Sequence, residues 1–278
     1  MKVCHILFSL ETGGTETMLV DILNEQVKMC NVFLMIINNR INKELAACLD
    51  SRVTLIKLGR NPQSRNIFFP IAINTLLYRI KPDIIHFHQH NGINLLLPVF
   101  RKKAVLTIHG LQIESDSFSK YRKLFSVSNS VKQDISNRYR LPSQQIYNGI
   151  DISRISARKI TANSSEFHIV QVSRLDHAKK GQHILLESIH KLIYKYNISN
   201  VYLDFIGEGS SREYLEELAE NLKIKEHIQV LSYRRIGHHL HRQLDESVVV
   251  AYPYLPVRTS GIEPSGNELF CHTFDTVE

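Results

Sequence analysis

Several features that would restrict the class of this protein are absent from its sequence. No stretch holds the roughly 18 uninterrupted apolar residues of a membrane-spanning helix. The opening residues MKVCHILFSL run into Glu11 and two glycines, unlike a cleavable signal with its small-residue cleavage site. We therefore expect a cytoplasmic protein.

Cysteine is scarce as well. The chain of 278 residues has four cysteines, and no two of them lie close together in the sequence. This spacing suggests neither a disulfide framework nor a zinc site, and a reducing cytosol is the natural setting. The four are Cys4, Cys30, Cys48 and Cys271.

The excess of positive charge is small and dispersed. Lysine and arginine number 34 against 27 aspartates and glutamates, which gives a net charge of +7. Such a balance favours anionic partners, such as nucleotide phosphates or an acidic membrane surface, without choosing among them. Because no basic stripe with interleaved aromatic residues is present, we do not expect a nucleic-acid partner.

Short apolar runs alternate with segments of helical period, which is typical of parallel sheets covered by helices on both faces. We expect two Rossmann-like, doubly wound α/β domains, at 1–145 and 167–278, joined by a polar linker at 146–166 that contains Asn148-Gly149. The predicted strands are Val3–Ser9, Val32–Ile37, Val53–Lys57, Asp83–His88, Ala104–His109, Leu124–Val127, Phe167–Val172, Val201–Ile206, Ile228–Leu231 and Val248–Tyr252.

Helices are predicted between these strands. Thr15–Lys28 places apolar residues on one stripe, and Ser128 or Ser130 is the expected N-cap of the helix that contains Val131. A capping box at Ser210–Glu213 predicts the start of a further helix. The helices of the second domain are expected near 181–196, 211–223 and 238–246, and the capping box belongs to the middle one.

The strongest sign of function is a pair of cations after the predicted strand Phe167–Val172. Arg174 and Lys180, with Gly181 directly after, stand where an amphipathic helix is expected to begin. Backbone N–H groups and the helix dipole favour an anion there, so the pair suggests a diphosphate site. Solvation of a surface loop is the alternative.

Glycines and a histidine stand at other strand ends that face the expected cleft between the domains. Gly13 and Gly14 follow the first strand, and Gly207 and Gly209 follow a strand of the second domain, where backbone could approach a ligand closely or simply form a tight turn. The spacing lacks the GxGxxG fingerprint and the Walker lysine, which argues against NAD and ATP sites. His109 ends the fifth strand; a buried histidine with satisfied hydrogen bonds is the alternative there.

Six segments occur in a specific order and spacing along residues 3–209. They are Gly13-Gly14-Thr15-Glu16, Pro82-Asp83-Ile84-Ile85-His86, His109-Gly110, Tyr147-Asn148-Gly149-Ile150-Asp151, Arg174 with Lys180-Gly181, and Gly207-Glu208-Gly209. In these segments the chain resembles the retaining glycosyltransferases of the GT-B fold, in the large set called glycosyl transferases group one.

The resemblance implies roles for three of these segments. Arg174 and Lys180 would hold the donor diphosphate, the Gly13-Gly14 loop would lie beside donor and acceptor, and His109 would face the reacting sugar. It also implies transfer of a hexose, with retention, from a nucleotide-sugar, which we expect to be a UDP-sugar, to a saccharide or lipid-linked acceptor in bacterial surface-polysaccharide assembly. Cations that stabilise the departing diphosphate need neither metal nor cofactor.

The tail departs from the family pattern, which has two glutamates eight positions apart. Aligning that pattern places Glu268 in the second position, as a donor-binding residue, and Ser260 in the first. Few residues follow Glu268, so the second domain is expected to be truncated. An alternative function is therefore an inactive remnant that binds nucleotide-sugar or a partner without turnover.

Two further features have open interpretations. His86, His88 and His90 would share one face of a strand, which allows a metal site, although no carboxylate or cysteine joins them. The segment Phe68–Tyr78, flanked by basic residues, predicts either a core-facing helix or a surface that contacts an anionic membrane peripherally. A lipid-linked acceptor would fit the second interpretation.

Overall fold

The computed structural model describes residues 1–149, 166–232 and 249–250. The chain divides into two compact units, Met1–Ser156 and Ala157–Glu278, each considered by itself below. Most of the predicted linker, the predicted helix at 238–246, and both Ser260 and Glu268 lie outside the described residues.

The first unit is built on a parallel sheet of seven strands in the order β3-β2-β1-β4-β5-β6-β7. Each of the six predicted strands is found, with ends shifted by up to three residues. The seventh, β7, was not predicted because it consists of two polar residues. The strands are β1 (Lys2–Leu7), β2 (Asn31–Asn38), β3 (Thr54–Arg60), β4 (Ile84–Phe87), β5 (Ala104–Ile108), β6 (Lys123–Ser126) and β7 (Gln144–Gln145).

Helices cover this sheet, and their ends follow local sequence signals. Ser128 accepts a hydrogen bond from Val131 N at 3.2 Å, which confirms it as an N-cap. The helix before β4 ends at Lys81, in the left-handed conformation, and Pro82 follows. The helices are α1 (Gly14–Gln26), α2 (Lys43–Ala47), α3 (Phe68–Ile80), α4 (Pro98–Arg101) and α5 (Asn129–Tyr139).

The two faces of the first sheet have separate cores. On one face Leu7 and Leu34 pack with Leu19 and Leu23 of α1. On the other, Ile6 and its neighbours pack with α3 and α5. Burial on both faces explains why β1 and β2 are apolar runs without strict alternation.

The second unit has a parallel sheet in the order β10-β9-β8-β11. Three of its strands have the predicted bounds, and its core joins Leu203 and Phe205 to Leu186 and Ile189. The elements are β8 (Phe167–Val172), α6 (His177–Lys180), α7 (Gln182–Tyr196), β9 (Val201–Ile206), α8 (Arg212–Asn221), β10 (Ile228–Leu231) and β11 (Val249–Val250). No helix of the described residues is long and apolar enough to cross a membrane.

Two predictions about helix starts in this unit are wrong. The N-cap of α8 is Ser211 rather than Ser210, and it makes no side-chain capping hydrogen bond. Its hydroxyl instead accepts a hydrogen bond from His177 N at 3.1 Å. Lys180 also does not begin the long helix, because Gly181 interrupts the helical conformation between α6 and α7. Gly181 has a φ of 68°, a left-handed conformation that favours glycine.

Candidate functional site

The segment between β8 and α7 presents two cations on a fixed backbone, one in the loop after β8 and one at the end of α6. Arg174 and Lys180 are exposed, and neither forms an ion pair with any of the described residues. Their backbones are held from beneath: Gln171 donates from Nε2 to the carbonyl oxygen of Lys180, and Gln182 donates to that of Arg174, both at 2.9 Å. The segment therefore combines free positive charge with an ordered main chain.

Sequence reasoning missed the two glutamines. Gln171 is 1% and Gln182 0% exposed, and a buried amide must find hydrogen-bond partners. The sequence does contain a signal for Gln171, because this polar residue interrupts an apolar strand. Within the described part of the chain the Oε1 atoms of both glutamines and Nδ1 of His183 have no partner. These are acceptor-capable atoms close in sequence to the two cations.

Gly207 and Gly209 support the same loop. A Cβ atom at Gly207 would overlap the carbonyl oxygen of Ser173, and one at Gly209 would overlap that of Leu175. The two segments are also joined by a hydrogen bond from Leu175 N to the carbonyl oxygen of Glu208, at 3.0 Å. Close approach of the Arg174 loop is therefore enough to require both glycines, and their contact with a donor stays a prediction.

The loop before α1 differs in this respect. Gly13 is the N-cap of α1 with an extended backbone, and Gly14 is the first helical residue. A Cβ atom at Gly14 would meet nothing within 4 Å, so the protein itself does not require glycine there. Neither glycine of this pair has a positive φ.

His109 follows directly after β5 and is half-buried. Its Nε2 lies 3.2 Å from Nδ1 of His88. Burial lowers the pKa of His109 to about 4, so the ring is neutral near pH 7. His109 is thus neither fully buried nor free: one ring nitrogen is engaged with a protein partner.

A histidine cluster lies next to it, and its membership differs from the prediction. Ring nitrogens of His5, His86 and His88 lie within 4.8 Å of one another. His90 does not join them, because β4 ends at Phe87 and His90 begins a 3₁₀ turn, where its Nδ1 lies 2.8 Å from Ser115 Oγ. His5 takes its place because β1 pairs with β4 and sets His5 opposite His86.

The two parallel sheets define a two-unit α/β protein. Its candidate site residues are the two unpaired cations after β8 and the half-buried histidine after β5. Two family models match it: Glycosyltransferase Family 4 over residues 12–154, and Glycosyl transferases group 1 over residues 153–264. The first alone spans more than half of the chain. The chain therefore belongs to the group 1 glycosyltransferases of the GT-B fold, as the resemblance in the sequence predicted. No curated protein sequence matches it.

Solved structures show the same fold at low sequence identity. A glycosyltransferase from Rickettsia africae ESF-5 is 19% identical, with a TM-score of 0.70 over 91% of this chain and 72% of that chain. WaaG, a glycosyltransferase involved in lipopolysaccharide biosynthesis, is 15% identical, with a TM-score of 0.65 over 90% and 74%. Anabaena Alr3699/HepE, solved with UDP and glucose, is 16% identical, with a TM-score of 0.66 over 91% and 74%.

Proposed function

We propose that this chain transfers a hexose from a UDP-sugar to a saccharide or lipid-linked acceptor, with retention, in the assembly of a bacterial surface polysaccharide. The observation that carries the proposal is the pair of exposed, unpaired cations, Arg174 and Lys180, on a backbone held by buried glutamines. Support also comes from HepE, which was solved with UDP and glucose, and from WaaG, which is involved in lipopolysaccharide biosynthesis.

The chemistry follows from the charge that develops on the leaving group. As the glycosidic bond breaks, the departing nucleoside diphosphate gains negative charge, so cations bind the transition state more strongly than the ground state. Arg174 and Lys180 supply that charge in the proposed reaction, which needs neither a metal ion nor a cofactor. The Gly13-Gly14 loop lies beside donor and acceptor, and Glu268, outside the described residues, contacts the donor.

His109 has a separate role in this proposal: it faces the reacting sugar. Its neutral ring suits contact with hydroxyl groups, because a neutral imidazole offers one donor and one acceptor. A variant that removes the ring should therefore spare the diphosphate contacts and affect the transfer step.

A membrane surface would bring the enzyme to a lipid-linked acceptor. Helix α3 buries Ile73 and Leu77 but leaves Phe68, Ile71 and Tyr78 exposed, at 71%, 56% and 73%. The helix thus faces the core with one side and leaves an exposed apolar surface on the other. The exposed basic residues Arg65, Arg79 and Lys81 flank it, a combination suited to anionic lipid headgroups. We include peripheral contact at the cytoplasmic face of the membrane in the proposal.

The test is release of UDP from a panel of UDP-hexoses, with and without a saccharide acceptor. We expect turnover of at least one donor by the purified chain. His109→Ala should retain UDP affinity in calorimetry and lose turnover. UDP binding without any turnover by the wild-type chain would favour the alternative, a binding protein without catalysis, and the absence of both would remove the proposal.

A further inference from the structure

A continuous series of hydrogen bonds links the end of α1 to His109 through the interior of the first unit. Gln26, the last residue of α1, places Oε1 at 2.8 Å from Nε2 of His5. Nδ1 of His5 lies 3.1 Å from Nε2 of His88, and Nδ1 of His88 lies 3.2 Å from Nε2 of His109. The three histidines lie on or directly after the adjacent strands β1, β4 and β5.

The rings in this series are neutral near pH 7. His5 is fully buried, and burial lowers its pKa to about 4; burial also lowers the pKa of His88 well below its ordinary value. A neutral imidazole carries one N–H, so it donates through one nitrogen and accepts through the other. Each hydrogen bond in the series therefore fixes the direction of the next.

The direction is set at Gln26, whose amide oxygen can only accept. His5 must then carry its hydrogen on Nε2, which leaves Nδ1 as an acceptor for a hydrogen on Nε2 of His88. Nδ1 of His88 accepts in turn from Nε2 of His109. All three rings donate towards Gln26, and the lone pair of His109 is left on Nδ1.

We propose that this series fixes the tautomer of His109, so that its Nδ1 can only accept a hydrogen bond from a hydroxyl group of the bound ligand. Gln26, His5 and His88 are then positioning residues for His109. A phosphate oxygen has no hydrogen to donate to this nitrogen, whereas a sugar hydroxyl has one. The proposal deepens the proposed function, and its meaning for catalysis rests on that function.

His86 lies beside the series and is not a member of it. Its ring centroid is 4.8 Å from that of His5 and 4.5 Å from that of His88, and its Nε2 lies 2.8 Å from Thr107 Oγ1. This contact engages Nε2 of His86 with β5. His86 therefore packs against the two buried rings without interrupting their hydrogen bonds.

The test reads the tautomer directly, without substrate. Imidazole nitrogens of protein labelled with ¹⁵N-histidine are observed by NMR at pH 7.5, and the His109 signals are assigned by their loss in His109→Gln. We expect the hydrogen on Nε2 of His109 in the wild type and in Gln26→Glu, since a carboxylate also only accepts. In Gln26→Lys, whose ammonium group only donates, the series should reverse and place the hydrogen on Nδ1.

Three results would overturn the proposal: hydrogen on Nδ1 or a rapid mixture in the wild type, the same tautomer in both Gln26 variants, or stoichiometric Zn²⁺ binding that displaces the His5–His88 hydrogen bond. Should Gln26→Lys fail to fold, His88→Phe keeps the ring shape and removes both hydrogen bonds. A mixture of His109 tautomers is expected there, and an unchanged single tautomer would contradict the proposal. Absence of UDP-sugar turnover would leave these readouts unaffected.

Discussion

Gln182 donates a hydrogen bond from Nε2 to the backbone carbonyl oxygen of Arg174, at 2.9 Å, from a side chain with no exposed surface. The same nitrogen lies 3.0 Å from Ser173 Oγ. A residue at the start of α7 thus fixes the main chain that carries one of the two cations. The consequence is that a neutral, buried residue should influence the binding of an anion.

Replacing this glutamine should weaken both folding and UDP binding. Gln182→Leu leaves the carbonyl oxygen of Arg174 and Ser173 Oγ without their partner, which costs about 1–3 kcal/mol of the free energy of unfolding. Urea denaturation and UDP calorimetry measure the two effects. Gln229→Leu, at an exposed position of β10, is the control. Equal UDP affinity in Gln182→Leu and the wild type would show that the hydrogen bond does not position Arg174.

Two glycines should respond differently to the same change. Gly209→Ala would place a methyl group against the backbone of Leu175 and should destabilise the protein by about 1–3 kcal/mol. The methyl group of Gly14→Ala would meet open space at the start of α1, so the free energy of unfolding should change little. A donor that lies against this loop should bind more weakly. Denaturation and UDP-sugar titration of both variants test this. A stable Gly209→Ala would contradict the packing argument.

The buried histidines should make stability depend on pH. His5 has a pKa of about 4 in the folded protein and an ordinary value of about 6.5 when unfolded. Between these values the unfolded chain binds more protons, so stability is full above pH 6.5 and falls as the pH drops towards 4. The loss approaches about 1.4 kcal/mol per pH unit for each such histidine. Urea midpoints between pH 7.5 and 5 should fall more steeply for the wild type than for His5→Gln; parallel curves would refute this.

The exposed side of α3 should bind anionic vesicles. A double substitution, Phe68→Ser with Ile71→Ser, removes two exposed apolar side chains and should reduce cosedimentation with vesicles that contain phosphatidylglycerol. Met29→Ser, at a position that is 82% exposed, is the matched control. Equal binding of both variants, or equal binding to neutral vesicles, would exclude this surface as a membrane contact.

Apart from β7, the strands could be predicted because they are short apolar runs in a parallel sheet. Phe167–Val172 and Val201–Ile206 have the predicted bounds for this reason. The start of α8 was predicted wrongly because the hydroxyl of Ser211 contacts His177 instead of capping the helix.

The tertiary relations could not be predicted. His5 and His88 are 83 residues apart, and only the order of β1 and β4 in the sheet brings them together. The need for glycine at Gly207 likewise comes from the backbone of Ser173, a contact that no local pattern records. Arg174 and Lys180 could be predicted because both lie in the short segment that follows the apolar run Phe167–Val172, although the break at Gly181 was not predicted.

The central claim is that Arg174 and Lys180 bind a nucleoside diphosphate, and calorimetry with UDP tests it most directly. Lys179 is the matched control, since it lies in α6 beside Lys180 and is also exposed. Unlike Lys180, it pairs with Asp176, at 3.7 Å. Arg174→Ala and Lys180→Ala should each weaken UDP binding by about 1.5–3 kcal/mol, the range for a charge-assisted contact, while Lys179→Ala should leave it unchanged. Wild-type affinity in both Arg174→Ala and Lys180→Ala would contradict the account.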